Sequence, residues 1–357
     1  MTSANRVLHK IRTVSGYSFP FLLTLAFLYF AVYDVDFRQS MEKISNISAF
    51  WLIVFVIVSL IAHVVRAMRW KVILHSGNPK TSLFNLFSGV MVGYGVNCVV
   101  PRLGEFYRAF FAGKWEGISR TSMLGTVIIE RVIDLLILGF SVLASIYIYS
   151  GDIFNDVLWL KSTLLIGFIV IGALIILLFL LIRLKERFVK ISVKLVGRIS
   201  GKLADKVEYI LHMLIDGFAS LKGIKNYSLT VFYSVLIMLL YGLTSYLAFF
   251  ILHLENYPQV NYGMAWVVMT IAAFGIIIPT PGGTGSYHLI VKTVLVTLYG
   301  FSENIGLAYG LVTHTVTYVM FILSAYICIS LVNIKRRRQG FPTENFFSVV
   351  RSKKGEI

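Results

Sequence analysis

The sequence predicts an all-α polytopic membrane protein, with about six spanning helices plus two oppositely oriented re-entrant helical hairpins in an inverted repeat. Three observations carry that expectation. Hydrophobic residues make up 57% of the 357 positions, charged residues only 14%, and the mean hydropathy is +0.79, well above the range of soluble domains. Several apolar runs exceed the ~18 residues needed to cross a bilayer core of ~30 Å. Two further apolar stretches are broken in the middle, at Asn97-x-x-x-Pro101-Arg102-x-Gly104-Glu105-x-x-Arg108 and at Pro279-x-Pro281-Gly282-Gly283-x-Gly285.

Taken in order, residues 1–14 form a basic cytoplasmic N-terminus. The apolar run 17–33 lacks a small-x-small cleavage site after it and is expected to be an uncleaved first span. A second span, 48–65, ends where Arg66, Arg69, Lys71 and Lys80 begin. The positive-inside rule puts that basic loop in the cytoplasm and 34–46 outside. Residues 83–114 read as a hairpin dipping from the cytoplasmic face, because a full crossing would leave Lys114 and Arg120 outside. Pro101 breaks the helix and Gly104 tolerates the turn. Such broken backbone is stable at membrane depth only under protein or against a water-filled cavity. Span 121–149 completes a first repeat, 15–150.

The second repeat, 151–333, begins with a span at 162–182. Region 183–225 follows, with Phe188, Ile191, Leu195, Ile199 and Leu203 at helical spacing opposite Lys190, Lys194, Arg198, Lys202 and Lys206. That pattern fits an amphipathic pair on the cytoplasmic leaflet, or a docking surface for a partner. Span 227–252, a hairpin at 262–299 entering from outside, and a last span at 305–332 precede the basic cytoplasmic tail 334–357. Both halves read span, span, hairpin, span, and the three spans of the first half invert the second.

The formal net charge of +16 is what cytoplasmic loops and anionic lipid require of a membrane protein, and no nucleic-acid-binding module accompanies it. Cys98 and Cys328 lie in separate apolar segments without a CxxC or a His/Cys cluster. Neither a disulfide framework, a metal site nor a cofactor is expected. The glycine turn lacks the GK[ST] of a nucleotide loop.

Ionisable residues inside a membrane are functional candidates by default, since burying them unpaired is costly. Three groups qualify: Arg102, Glu105 and Arg108 after the first break; Glu130, Arg131 and Asp134 on the next helix; and Gly282, Gly283 and Gly285 with Lys292 at the second break. The first six carry three charges of each sign, so they could also serve only to pin the hairpin. Arginine at a broken helix suits bidentate phosphate binding, and the glycine turn would open a half-helix whose free N–H groups face an anion. His288 and His314 are expected to bond backbone.

Together, the Asn97-to-Arg108 motif, Glu130-Arg131-x-x-Asp134 and the Pro279-to-Gly285 motif resemble the transmembrane region of lysylphosphatidylglycerol synthase. This flippase-like family includes the N-terminal half of the bacterial multiple peptide resistance factor. The resemblance spans about residues 15–333 and implies a multi-pass protein of the bacterial cytoplasmic membrane that moves lipid between leaflets. The substrate implied is a phospholipid or polyprenyl-phosphate lipid, gripped between the hairpins. Because the chain ends at Ile357, the soluble synthase domain of those relatives, and with it lysyl transfer, is not expected. Tyr287 and His288 stand where many relatives carry an acidic residue, which favours an anionic headgroup. Two alternatives are a membrane enzyme acting on a lipid phosphate, with Glu105, Glu130 or Asp134 as acid or base, and a scaffold recruiting a separate lipid-modifying enzyme.

Overall fold

A computed structural model describes residues 19–74, 80–149, 186–219 and 223–351, with scattered positions between 167 and 184. Every regular element among these residues is helical. The chain opens with α1 (Phe19–Val32), which meets α2 (Phe37–Ser45) at an angle of 89°. Asp36 sets that corner, its carboxylate capping α2 by accepting from the N–H groups of Arg38 and Gln39. There follow α3 (Ala49–Leu74), α4 (Leu83–Val99), α5 (Gly104–Glu116) and α6 (Arg120–Ile148). After them come α7 (Glu186–Gly197), α8 (Gly201–Ala219), α9 (Ile224–Ile251) and α10 (Tyr262–Ile277). A short 3₁₀ turn, Pro281–Gly283, leads to α11 (Ser286–Tyr299), α12 (Glu303–Arg338) and α13 (Phe346–Arg351).

Three of these helices, α3, α9 and α12, are long and apolar enough to cross a bilayer, and the bent pair α1–α2 makes up to four. The expected span at 162–182 falls mostly outside the described residues. The shorter helices α4 and α10, at 17 and 16 residues, fall just under the length of a comfortable crossing.

Glycine lets α4 and α5 fold back on each other. A Cβ on Gly93 would lie 3.0 Å from the Gly104 carbonyl oxygen, and one on Gly89 would lie 3.1 Å from the Ala112 Cβ. The two helices therefore run antiparallel at backbone contact. Asn97 closes the turn, its Oδ1 accepting from the Gly104 N–H at 2.8 Å. At the other break, the Ser286 hydroxyl donates to the Gly275 carbonyl at 2.7 Å and joins the end of α10 to the start of α11. The largest apolar core gathers α9, α10, α11 and α12 around Phe249, Val267, Val291 and Tyr309.

Two boundaries differ from the sequence expectation. Helix α3 does not stop at 65 but continues to Leu74 and carries Arg66 and Arg69 into the interior at 4% and 1% exposure. Their charges are tolerated because carboxylates meet them there. Helix α12 likewise runs through Lys335 to Arg338, where cations favour the negative end of the helix dipole. The amphipathic region divides its apolar surface: Val189 and Leu211 pack on Ile129 of α6, while Ile191, Leu195, Ile199 and Leu203 stay exposed.

Candidate functional site

Glu130 is fully buried on α6 and sits among three guanidinium groups. It accepts from Arg66 Nε at 2.8 Å, Arg69 Nη2 at 3.1 Å and Arg108 Nη2 at 2.5 Å. One turn further along α6, Asp134 accepts from Arg69 Nη2 at 2.5 Å and also pairs with Arg66. Arg66 donates in addition to the hydroxyls of Tyr94, at 2.8 Å, and Tyr241, at 2.9 Å. Arg69 donates to Ser234 Oγ at 2.9 Å. Four helices beside α6 thus supply the cluster: α3, α4, α5 and α9. The Arg108 guanidinium lies 3.9 Å from the Trp70 ring centroid, and that indole is fixed by donating to Thr126 Oγ1 at 2.9 Å. An arginine over a desolvated indole gains from the cation–π attraction.

At the edge of this cluster, Arg131 approaches Glu105 at 3.9 Å and Asp134 at 3.6 Å, with 38% of its side chain exposed. Four arginines (66, 69, 108 and 131) therefore face three carboxylates (105, 130 and 134). The balanced three-against-three expected from sequence is corrected to an arginine surplus, because α3 adds two cations while Arg102 is lost from the set. Within it Arg69 Nε and Arg108 Nε and Nη1 are buried and find no acceptor among the described residues. Buried guanidinium N–H groups without partners are costly, and an anionic oxygen would satisfy them.

Arg102 is not part of the cluster, contrary to the expectation that the acids would hold it. It lies in the turn before α5 with its backbone in the left-handed region (φ 65°), and its exposed side chain donates to the Ile277 carbonyl, at the end of α10, at 2.9 Å. The two breaks touch elsewhere as well. Tyr318 on α12 donates to the Cys98 carbonyl, and a Cβ on Gly282 would lie 2.6 Å from the Tyr318 ring and 3.4 Å from Cys98 Cα.

The second break also departs from the anion-cradle expectation. Gly283 N–H donates to the Thr280 carbonyl and Thr284 N–H to that of Pro281, at 3.1 and 3.0 Å. Gly285 N–H donates to His288 Nδ1 at 3.2 Å. Gly285 is further covered by α1, whose Thr24 carbonyl would sit 2.8 Å from an added Cβ. These donors are spent on the turn itself. His314 Nε2 lies 3.0 Å from the Gly282 carbonyl, in keeping with a histidine that bonds backbone. Lys292 is drawn away from the arginines: it pairs with Glu303 at 2.9 Å and donates to the Tyr33 carbonyl at 3.2 Å.

Sequence reasoning missed Arg66, Arg69, Trp70 and the tyrosines. A signal was present, since no glycine or proline interrupts the chain between Ser48 and Gly77. The positive-inside rule drew the boundary back to the first arginine. Among the described residues, no three His, Cys, Asp or Glu side chains group to hold a metal ion.

The family described as Lysylphosphatidylglycerol synthase TM region matches residues 18–325. A UPF0104 membrane protein of Methanocaldococcus jannaschii is 23% identical over 329 residues, covering 87% of this chain and 94% of that protein. No solved structure matches the chain. With 18–325 matched out of 357 residues, the chain is a membrane protein belonging to the lysylphosphatidylglycerol synthase TM region family.

Proposed function

We propose that this protein is a flippase-like lipid translocase of the bacterial cytoplasmic membrane. It would bind the phosphate of a phospholipid or polyprenyl-phosphate lipid where its two hairpins meet. The observation that carries this reading is the contact of the two tips at Arg102, six residues before Arg108 of the arginine-rich buried cluster. Arg102 offers an exposed guanidinium at that joint, and Arg108 holds buried donors without acceptors just behind it. A headgroup with a negative phosphate supplies the missing oxygens. Gly282, Gly283 and Gly285 would then shape the joint, and Lys292 would brace α11 against α1 and α12.

The helix pairings support an inverted repeat with re-entrant hairpins. Helix α4 packs on α12 while α10 packs on α6; α3 packs on α4 as α9 does on α10; α5 packs on α6 as α11 does on α12; and α3 packs on α9. Exchanging the two halves leaves that set unchanged, as a pseudo-two-fold axis demands. On this reading both termini are cytoplasmic. A catalytic role for Glu130 or Asp134 is disfavoured by their saturation, since each accepts from two or more arginine nitrogens and neither is poised as a base.

Reconstitution tests the reading. Purified protein in vesicles carrying labelled phosphatidylglycerol, phosphatidylethanolamine or polyprenyl phosphate should speed lipid exchange between leaflets for at least one of them. Arg102→Ala, which removes an exposed side chain, should slow it about tenfold or more, the worth of one charge-assisted phosphate contact, with the melting temperature unchanged. Equal rates in wild type and variant, or no acceleration with any lipid, would end the proposal.

A further inference from the structure

We infer that a second anion site, for a phosphate group, lies at the far end of α5 and α12, where the Glu344 carboxylate of the C-terminal segment is its resident competitor. A recess of about 370 Å³ opens there, a size proper to small ligands. It is lined by Lys114 and Trp115 of α5, Lys335 and Arg336 of α12, and Phe341. Glu116, also at its wall, has its oxygens held by the Ser82 N–H at 3.0 Å and Asn85 Nδ2 at 2.6 Å. With three cations against this one carboxylate, the lining is net positive.

Two further observations point to an anion. The Trp115 indole N–H, on a side chain 8% exposed, has no acceptor among the described residues. The cations already attract an oxyanion from the chain itself. Glu344, 2% exposed, lies 3.1 Å from Lys114 Nζ and 3.8 Å from Arg336 Nη2. Its backbone is held by Asn333 on both sides, at 2.9 and 2.8 Å, and its second oxygen accepts from Ser348 Oγ at 2.7 Å. The segment then docks α13, with Phe346 against Tyr107 and Phe111. Lys335 has no carboxylate within ion-pair distance among the described residues. A phosphate entering beside Glu344 meets Lys335 and the indole N–H unshared, and takes Lys114 and Arg336 at the expense of the carboxylate. Inorganic phosphate brings more acceptor oxygens and more charge than the carboxylate; the phosphodiester of a lipid matches its single charge and gains over it through Lys335 and the indole N–H, which Glu344 does not use. The site is separate from the hairpin joint and stands or falls independently of it.

The test follows Trp115 fluorescence in full-length protein in detergent, corrected by the Trp115→Phe variant. Titrants are inorganic phosphate at constant ionic strength, dihexanoyl phosphatidylglycerol, and dihexanoyl phosphatidylcholine as a zwitterionic control. A saturable change is expected with phosphatidylglycerol, and saturation by inorganic phosphate alone would identify free phosphate as a sufficient ligand. Glu344→Gln should lower the midpoint about fivefold and Lys335→Ala should raise it about fivefold, the effect of one charge at a lipid-facing surface. If Glu344→Gln loosens the fold, Lys335→Ala against Lys335→Arg decides, since only the first should weaken binding. No saturable change with phosphatidylglycerol or phosphate, or a midpoint indifferent to Lys335, overturns the site.

Discussion

Glu130 and Arg131 are neighbours in sequence and carry opposite charges, yet their surroundings give them unequal weight. Glu130 is fully buried and takes hydrogen bonds from three arginines. Glu130→Gln removes the charge and turns an N–H₂ toward a guanidinium, leaving cations uncompensated in the interior. Breaking a buried ionic group in this way costs ~3–5 kcal/mol. The melting temperature in detergent should fall on the order of 10 °C. Arg131, with 38% of its side chain exposed and ion-pair distances of 3.6 and 3.9 Å, is screened by solvent, so Arg131→Gln should cost about 1 kcal/mol or less. Equal losses in the two variants would mean that the cluster is not organised around Glu130. The sequence paired these acids with Arg108, as the structure does, but added Arg102, which turns elsewhere, and missed Arg66 and Arg69. Arg66 and Arg69 read as loop residues because a run of basic side chains looks the same whether it leaves the membrane or turns inward to meet acids from a distant helix.

Hairpins are held by close approach, and this is where single atoms decide an element's geometry. A Cβ on Gly104 would lie 2.0 Å from the Gly93 carbonyl oxygen and 2.6 Å from the Asn97 side chain. Backbone cannot yield there as a flexible side chain would, so Gly104→Ala should force α4 and α5 apart. The expected loss is at least the ~1–3 kcal/mol of ordinary overpacking, together with weaker binding of any ligand at the joint. Gly201→Ala, whose Cβ meets nothing within 4 Å, is the control and should stay within ~0.5 kcal/mol of wild type. Thermal melts of the two variants are the check, and matching curves would refute the backbone-contact account. That the chain breaks and folds back on itself near Pro101 and near Pro281 was legible in the sequence, since proline and glycine in short apolar stretches are local signals. What the tips do was less so. Whether a glycine's N–H is free depends on what folds over it, and at Gly285 that cover comes from α1, some 260 residues away in sequence. Arg102 escaped for a similar reason: its direction is set by a positive φ, which the residue type alone does not announce.

Across the whole molecule, the reciprocal pairings of the two halves separate charge between its ends. At one end, α2 meets the start of α12 through Asn304, whose Oδ1 accepts from the Asp36 N–H at 2.9 Å and whose Nδ2 donates to Gln39 at 2.8 Å. At the other, Asn85, Lys114, Lys335 and Arg336 gather around the recess. Helix α12, 36 residues long, joins them and at ~1.5 Å per residue is ample to cross the membrane. An axis with one end poor in lysine and arginine and one basic end has a preferred orientation, because translocation of lysine and arginine is disfavoured. Single cysteines in a Cys98→Ala, Cys328→Ala background read it out. Replacements at Arg38 and Ser302, both exposed, should react with a membrane-impermeant maleimide added outside intact cells. Those at Lys80 and Lys335, also exposed, should react only after the membrane is opened. Labelling of Arg38→Cys and Lys335→Cys from the same side would break the assignment of the ends. Labelling of Lys80→Cys from the outside would break the first hairpin's entry from the cytoplasmic face, and with it the proposed inversion of the two halves.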